Sequence, residues 1–123
     1  SINGLCACDT FIVPMQCEYL AMEGLSQLMV SAREVKRLYN PGLELEGVVL
    51  TMFDGRLNLT QQVVGEIKKY FADKLYKTCI PRAVRLSEAP SYGMPIQYYD
   101  KRSKGADAYN SLAKEFLKKN RRN

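Results

Sequence analysis

A strand candidate at positions 45–53, with Val48, Val49 and Leu50 as a continuous apolar core, leaves few folds open to this chain. A strand with water on one face alternates apolar and polar residues, whereas an unbroken apolar run belongs to a strand covered on both faces. Such strands occur in parallel sheets with helices on each side. The flanking sequence agrees, because three apolar strand candidates alternate with three helical patterns. That order argues for an α/β fold with a parallel sheet.

The first strand candidate is 10–16, with Pro14 weakening pairing near its end. A helix is expected over 21–39, where Leu25, Leu28, Met29, Ala32, Val35 and Leu38 share one face. Asn40-Pro41-Gly42 stops it. After the central strand comes the loop Asp54-Gly55-Arg56-Leu57, then a helix that Asn58 and Gln61 would open as a capping box. Its inner face reads Leu59, Val63, Val64, Ile67, Tyr70 and Phe71. A short third strand is expected over 75–80, then an irregular stretch over 81–99 broken by Pro81, Pro90, Gly93 and Pro95. A loop of that length in a compact domain usually carries function. Ser103 is a good N-cap for a last helix with Tyr109, Leu112, Ala113, Phe116 and Leu117 as its buried stripe. Tyr98, Tyr99 and Tyr109 are read as packing residues rather than base-stacking ones.

Hydrophobic residues are 46% and charged residues 25% of the 123, enough apolar material for a packed core. No apolar run reaches the roughly 18 residues of a membrane helix. Histidine is absent, which excludes histidine metal ligands and a histidine general base. Cys6, Cys8, Cys17 and Cys79 form no C-x-x-C pair and read as buried free thiols. The charge is lopsided: residues 1–77 are net −1 and residues 78–123 net +6, with a basic tail at 118–123. A basic half suits a polyanion such as DNA, and equally a solvated lysine face. No G-x-x-x-x-G-K-[ST], G-x-G-x-x-G or G-x-S-x-G occurs, so no catalytic constellation is expected within the chain. The first eight residues read as the end of a further helix, and three strands make a thin layer. The expectation is one partial domain over 1–123, the C-terminal part of a larger doubly wound domain. Its open sheet edge predicts self-association.

Long motifs then carry a resemblance. Pro14-Met15-Gln16-Cys17-Glu18-Tyr19-Leu20-Ala21-Met22-Glu23-Gly24-Leu25 resembles the P-x-Q-x-E-Y-x-A-x-E-G-L stretch of ParA/Soj-type chromosome-partitioning ATPases. Thr51-Met52-Phe53-Asp54 with Arg56 and Asn58 resembles their T-M-x-D-x-R-x-N loop. The stretch 80–93 resembles I-P-R-x-V-R-L-S-E-A-P-S-x-G, and Tyr99-Asp100, Arg102-Ser103-Lys104-Gly105-Ala106 and Tyr109 complete it. The resemblance implies the C-terminal half of a P-loop NTPase-like domain of the deviant Walker type, cytoplasmic and nucleoid-associated. It implies ATP and Mg²⁺ as cofactors of the longer parent, none bound tightly by this part. It also implies ATP-dependent dimerisation, non-specific DNA binding and a ParB/Spo0J-type partner protein. The Walker A loop and the Mg²⁺-associated acids of such ATPases have no counterpart here, so this part is expected to be inactive alone.

By the same resemblance, Thr51, Met52, Pro81, Arg82 and Ala83 face the nucleotide base, and Glu18 and Glu23 lie near a dimer interface. Ala83 stands where many members have Asn, Tyr92 where they have His and Met94 where they have Lys. For DNA the first candidates are Arg56, Arg82 and Arg85, loop arginines on one rim without an obvious acidic partner adjacent in sequence. They would grip phosphates and read no bases. Lys101, Arg102 and Lys104 come second, and Lys118, Lys119, Arg121 and Arg122 third. The structural alternatives are that Arg82 and Arg85 tie the long loop to the body and that Arg56 pairs with Asp54. A stand-alone DNA- or protein-binding module derived from this fold is the other functional reading, and plasmid or protein-cluster cargo a third.

Overall fold

The computed structural model describes residues 2–18 and 20–121. Tyr19 of the first motif and Arg122 of the basic tail lie outside the described residues. The element order is α1 (Ile2–Ala7), β1 (Thr10–Gln16), α2 (Ala21–Leu38), β2 (Glu44–Thr51), α3 (Asn58–Phe71), α4 (Val84–Glu88), a 3₁₀ turn (Ala89–Tyr92), α5 (Ile96–Tyr99) and α6 (Lys104–Lys119). The fold is α/β, with parallel strands and flanking helices.

β1 and β2 pair in parallel, with Val13 opposite Val48 and Met15 opposite Leu50. These four side chains pack with Leu25 of α2 and with Val63 and Ile67 of α3. Val49 points to the opposite face and meets Tyr76, Ile80, Leu86 and Leu112. Both faces of β2 are therefore covered, and Val48, Val49 and Leu50 are at most 2% exposed. Each such burial is worth about 1.5–3 kcal/mol. β1 alternates instead: Val13 and Met15 are buried while Ile12, Pro14 and Gln16 are exposed.

Asn40 closes the turn after α2. Its side-chain amide donates to the carbonyls of Leu5 (3.1 Å) and Cys8 (2.7 Å), satisfying groups at the end of α1. Ser103 caps α6, its Oγ accepting from the Ala106 amide at 3.1 Å.

Several expectations are corrected. The third strand is not continuous: around residues 75–80 the ladder is reduced to two isolated bridges, Val48 with Leu75 and, just past the end of β2, Phe53 with Pro81. The lysine and threonine in between are held instead by α6, whose Glu115 carboxylate accepts from the Lys77 amide (2.8 Å) and the Thr78 amide (2.8 Å). The stretch after Pro81 is not irregular but coils into three short helical turns. The capping box does not form, because Asn58 already lies inside α3 and Leu57 precedes it without a side-chain bond. Gln61 donates to the Gly55 carbonyl at 3.1 Å instead.

The stripe of α6 is also shifted. Gly105 and Ala106 are buried, with Ala108 and Leu112 half-buried beside the Val49 cluster. Tyr109, Phe116 and Leu117 are exposed. The helix sits on its small residues because Leu86 fills the space over Gly105, where an added Cβ would stand 2.4 Å from Leu86 Cγ. The cysteines are free but half-buried rather than buried. Of the tyrosines, Tyr98 is largely exposed, whereas Tyr99 stacks on Tyr92 with ring centres 5.1 Å apart.

Gly47 gives a test of this packing. A Cβ there would lie 2.3 Å from Tyr76 Cε1 and 2.9 Å from the Lys74 carbonyl oxygen, and the backbone atom has no room to yield. Gly47→Ala is expected to lower stability by about 1–3 kcal/mol, read as a shifted urea midpoint at unchanged slope.

Candidate functional site

The site lies at the carboxyl end of β2. Ligands of open α/β sheets bind beyond the carboxyl ends of strands. β2 ends at Thr51, and Met52 turns to φ 52°, a left-handed conformation that side chains other than glycine rarely take. Such outliers concentrate where a site over-determines the backbone. The cause is local. Ile80 donates to the Leu50 carbonyl at 2.8 Å and accepts from the Phe53 amide at 3.0 Å. In a regular parallel ladder those two partners stand two residues apart. Here they stand three apart, and Met52 is the extra residue, with its side chain 48% exposed.

This pairing brings Thr51, Met52, Pro81, Arg82 and Ala83 to one rim. Thr51, Pro81 and Ala83 are half-buried, while Met52 and Arg82 are exposed. The surface is a strained strand end against an extended proline loop. Its residues form no glycine-rich phosphate cradle.

The three leading arginines differ. Arg56 is bound to Asp54 by two side-chain bonds, Nε to Oδ1 at 3.0 Å and Nη2 to Oδ2 at 2.9 Å. Its side chain is still 89% exposed. Arg85 stands between Glu88 (3.4 Å) and Asp100 (3.4 Å) and lies over the Tyr99 ring, 5.9 Å from its centre. Tyr99 in turn donates to Glu88 at 2.6 Å. Arg56 thus pairs with Asp54, as the structural alternative had it, and Arg85 has acidic partners that its leading reading did not foresee. The partner of Arg85 at Asp100 was out of sight because fifteen residues separate the two. Arg82 makes no ion pair with any of the described residues. The Arg85–Asp100 contact also brings Arg85 to the turn that carries Lys101 and Arg102, all exposed, with Lys104 opening α6.

Among the third-choice cations, Lys119 lies over the Tyr76 ring, its Nζ 4.4 Å from the centre, so it helps dock α6. Glu18 and Glu23 are not brought together. Glu18 lines a cavity of about 350 Å³ along the outer edge of β1, and Glu23 one of about 490 Å³ with Arg33 and Tyr70. Both glutamates are exposed.

The titrations fit this division. Bonds from the Arg56 guanidinium and then its amide hold Asp54 down at about 2. Burial pushes up the Cys17 and Cys79 thiols, so neither is poised as a nucleophile. Burial would raise Glu115, but bonds from Thr78 and from the Lys77 and Thr78 amides outweigh it and leave it lowered. No group of three or more Cys, Asp or Glu able to hold a metal occurs among the described residues. Among the described residues no helix is long and apolar enough to cross a membrane.

A family model described as an AAA domain matches residues 1–45. The sporulation initiation inhibitor protein Soj of Bacillus subtilis is 59% identical over 115 residues, 94% of this chain and 46% of that protein. The chromosome partitioning protein ParA of Myxococcus xanthus is 48% identical over 119 residues, 97% of this chain and 42% of that protein. Among solved structures, cobyrinic acid a,c-diamide synthase of Mycobacterium smegmatis superposes with a TM-score of 0.71 at 30% identity, covering 94% of this chain and 40% of that one. The chain is thus similar to ParA/Soj-type proteins along nearly its whole length, and it spans about half the length of the curated relatives it matches.

The Asp54–Arg56 pair makes a pH prediction. The folded value of Asp54 is depressed, so the pair's stabilisation is present above its ordinary value near 3.8 and is lost as pH falls towards about 2. Carboxyl-carbon NMR should show Asp54 titrating at the lower value, and Arg56→Ala should return it towards the ordinary one.

Proposed function

We propose that this ParA/Soj-type chain forms the base-facing and DNA-facing part of an ATPase that partitions chromosomal or plasmid DNA. The observation that carries the reading is the junction of Thr51, Met52 and Phe53 with Ile80, Pro81, Arg82 and Ala83, held by the Phe53–Ile80 hydrogen bond of 3.0 Å. A strained strand end facing a proline loop suits the adenine of ATP. The half-buried Ala83 leaves contacts to the base's polar edge to backbone groups. The solved M. smegmatis synthase includes a form with bound ADP and magnesium, TM-score 0.67. ATP would supply the energy of dimer formation when bound. The phosphate cradle and the Mg²⁺ acids would come from sequence outside these 123 residues, which leaves this part without catalysis of its own.

The DNA side of the proposal rests on exposed cations around the same rim. Arg82 is the leading phosphate contact because no acid of the described residues holds it. Arg56 and Arg85 contribute when phosphate oxygens replace Asp54, Glu88 and Asp100. Lys101, Arg102 and Lys104 extend the surface from the turn that Arg85 touches. Contacts of this kind are sequence-independent. A ParB-type partner and a dimer interface near Glu18 and Glu23 belong to the same proposal.

The test is a DNA-binding titration over a salt series on duplexes of unrelated sequence. Affinity should be alike for all sequences and fall with salt. The slope should lose about 0.9 for each phosphate contact removed. Arg56→Ala, Arg82→Ala and Arg85→Ala combined should flatten it most, with Arg82→Ala the largest single change. Equal binding by the triple variant would overturn the assignment.

A further inference from the structure

The segment after α3 meets β2 at both ends but changes stagger between them. In a regular parallel ladder the bonding residues of each chain advance by two. Tyr76 donates to the Val48 carbonyl at 2.9 Å, so the next donor, to the Leu50 carbonyl, would be Thr78. Ile80 takes that place at 2.8 Å. Two residues are therefore looped out between the two pairings. The half-buried Thr78 leaves the ladder, and its amide and hydroxyl need new acceptors. The Glu115 carboxylate supplies them, accepting from the Lys77 amide at 2.8 Å, the Thr78 amide at 2.8 Å and the Thr78 hydroxyl at 2.6 Å.

We infer that Glu115, on the far helix α6, is a positioning residue for the rim: it holds the excursion at 77–79 open and so sets which residues stand beside Met52. With the carboxylate gone, two arrangements remain. The excursion loses its acceptor and frays, or the ladder zips and Thr78 moves to where Ile80 packs, at 3% exposure. Either one displaces Pro81, Arg82 and Ala83 from the end of β2. The register half of this inference stands on hydrogen-bond geometry alone; the consequence for a nucleotide base rests on the function proposed above.

α6 has a second anchor that provides a control. Asn120 donates to Glu46 at 2.7 Å, and Glu46 also accepts from the Tyr76 hydroxyl at 3.0 Å. Asn120→Ala loosens α6 without touching the excursion.

The experiment is site-resolved amide hydrogen exchange on the 123-residue chain, combined with an NMR titration by ADP. Wild type, Glu115→Ala, Glu115→Gln and Asn120→Ala are compared. In Glu115→Ala the Ile80 and Phe53 amides should exchange about tenfold faster or more, while amides of the β1–β2 ladder keep their protection. Glu115→Gln retains one carbonyl acceptor, so it should fall between Glu115→Ala and wild type, and it serves as the reading if Glu115→Ala does not fold. Asn120→Ala should leave Ile80 and Phe53 protected. ADP should shift the Met52 and Ala83 amides in wild type and in Asn120→Ala, and not in Glu115→Ala. Unchanged protection of Ile80 and Phe53 in both Glu115 variants, or an equal loss in Asn120→Ala, would overturn the positioning role. If ADP shifts nothing even in wild type, the base reading fails, and the exchange comparison still decides the register.

Discussion

The hydrogen bonds that join β2 to residues 74–80 organise everything else in this molecule. β2 is buried on both faces, so its backbone groups have no water to turn to and must find partners in neighbouring chain. β1 supplies one side as a parallel ladder with one register shift, between Phe11 and Ile12. The other side is supplied by an interrupted one, with an extra residue on β2 at Met52 and two on its partner at 77–79. Those irregularities throw Met52 into a left-handed turn and deliver Pro81, Arg82 and Ala83 to the same rim. Both sides of β2 add to the core, Val13 and Met15 on one and Tyr76 and Ile80 on the other, and the interrupted side also builds the rim.

The cations around that surface are arranged by the same architecture. Arg85 leaves the rim through α4 and is caught between Glu88 and Asp100, which also places it beside the turn at 100–104. Arg56 folds back on Asp54 within its own loop. Exposed pairs of this type contribute little to stability, typically under about 1 kcal/mol. In the proposed DNA role, phosphate oxygens would replace these carboxylates at little cost to the fold. Under the proposed DNA role, the net +6 of residues 78–123 would supply the longer-range attraction.

Much of the scaffold was legible in the sequence, because local pattern determines it. β1 was read with its observed bounds, and α2 to within one residue at its end. Ser103 was recognised as a cap from its type and place. What was not legible depends on partners far along the chain. The excursion at 77–79 exists because Glu115, 37 residues beyond Thr78, accepts its amides, and no window of local sequence contains both. Hence the third strand was expected to be continuous. The stripe of α6 was misplaced for a related reason: bulk pointed to Tyr109, Phe116 and Leu117, while Leu86 left room only for Gly105 and Ala106. The capping box failed because α3 already includes Asn58, and Gln61 turns to the Gly55 carbonyl instead. At the rim, the residue types were visible in the motifs, but the left-handed Met52 was not, since nothing in a methionine announces it.

The division of labour proposed here assigns the nucleotide base to this chain and the phosphates to sequence beyond it. Phosphate release from ATP tests that division most directly. It would be measured with Mg²⁺ and DNA present, for the 123-residue chain and for a ParA/Soj-type chain that carries a Walker A loop. The account predicts release by the longer chain and none above buffer by the shorter one. Turnover by the 123-residue chain itself would contradict it, because a phosphate site would then exist among residues that form no cradle.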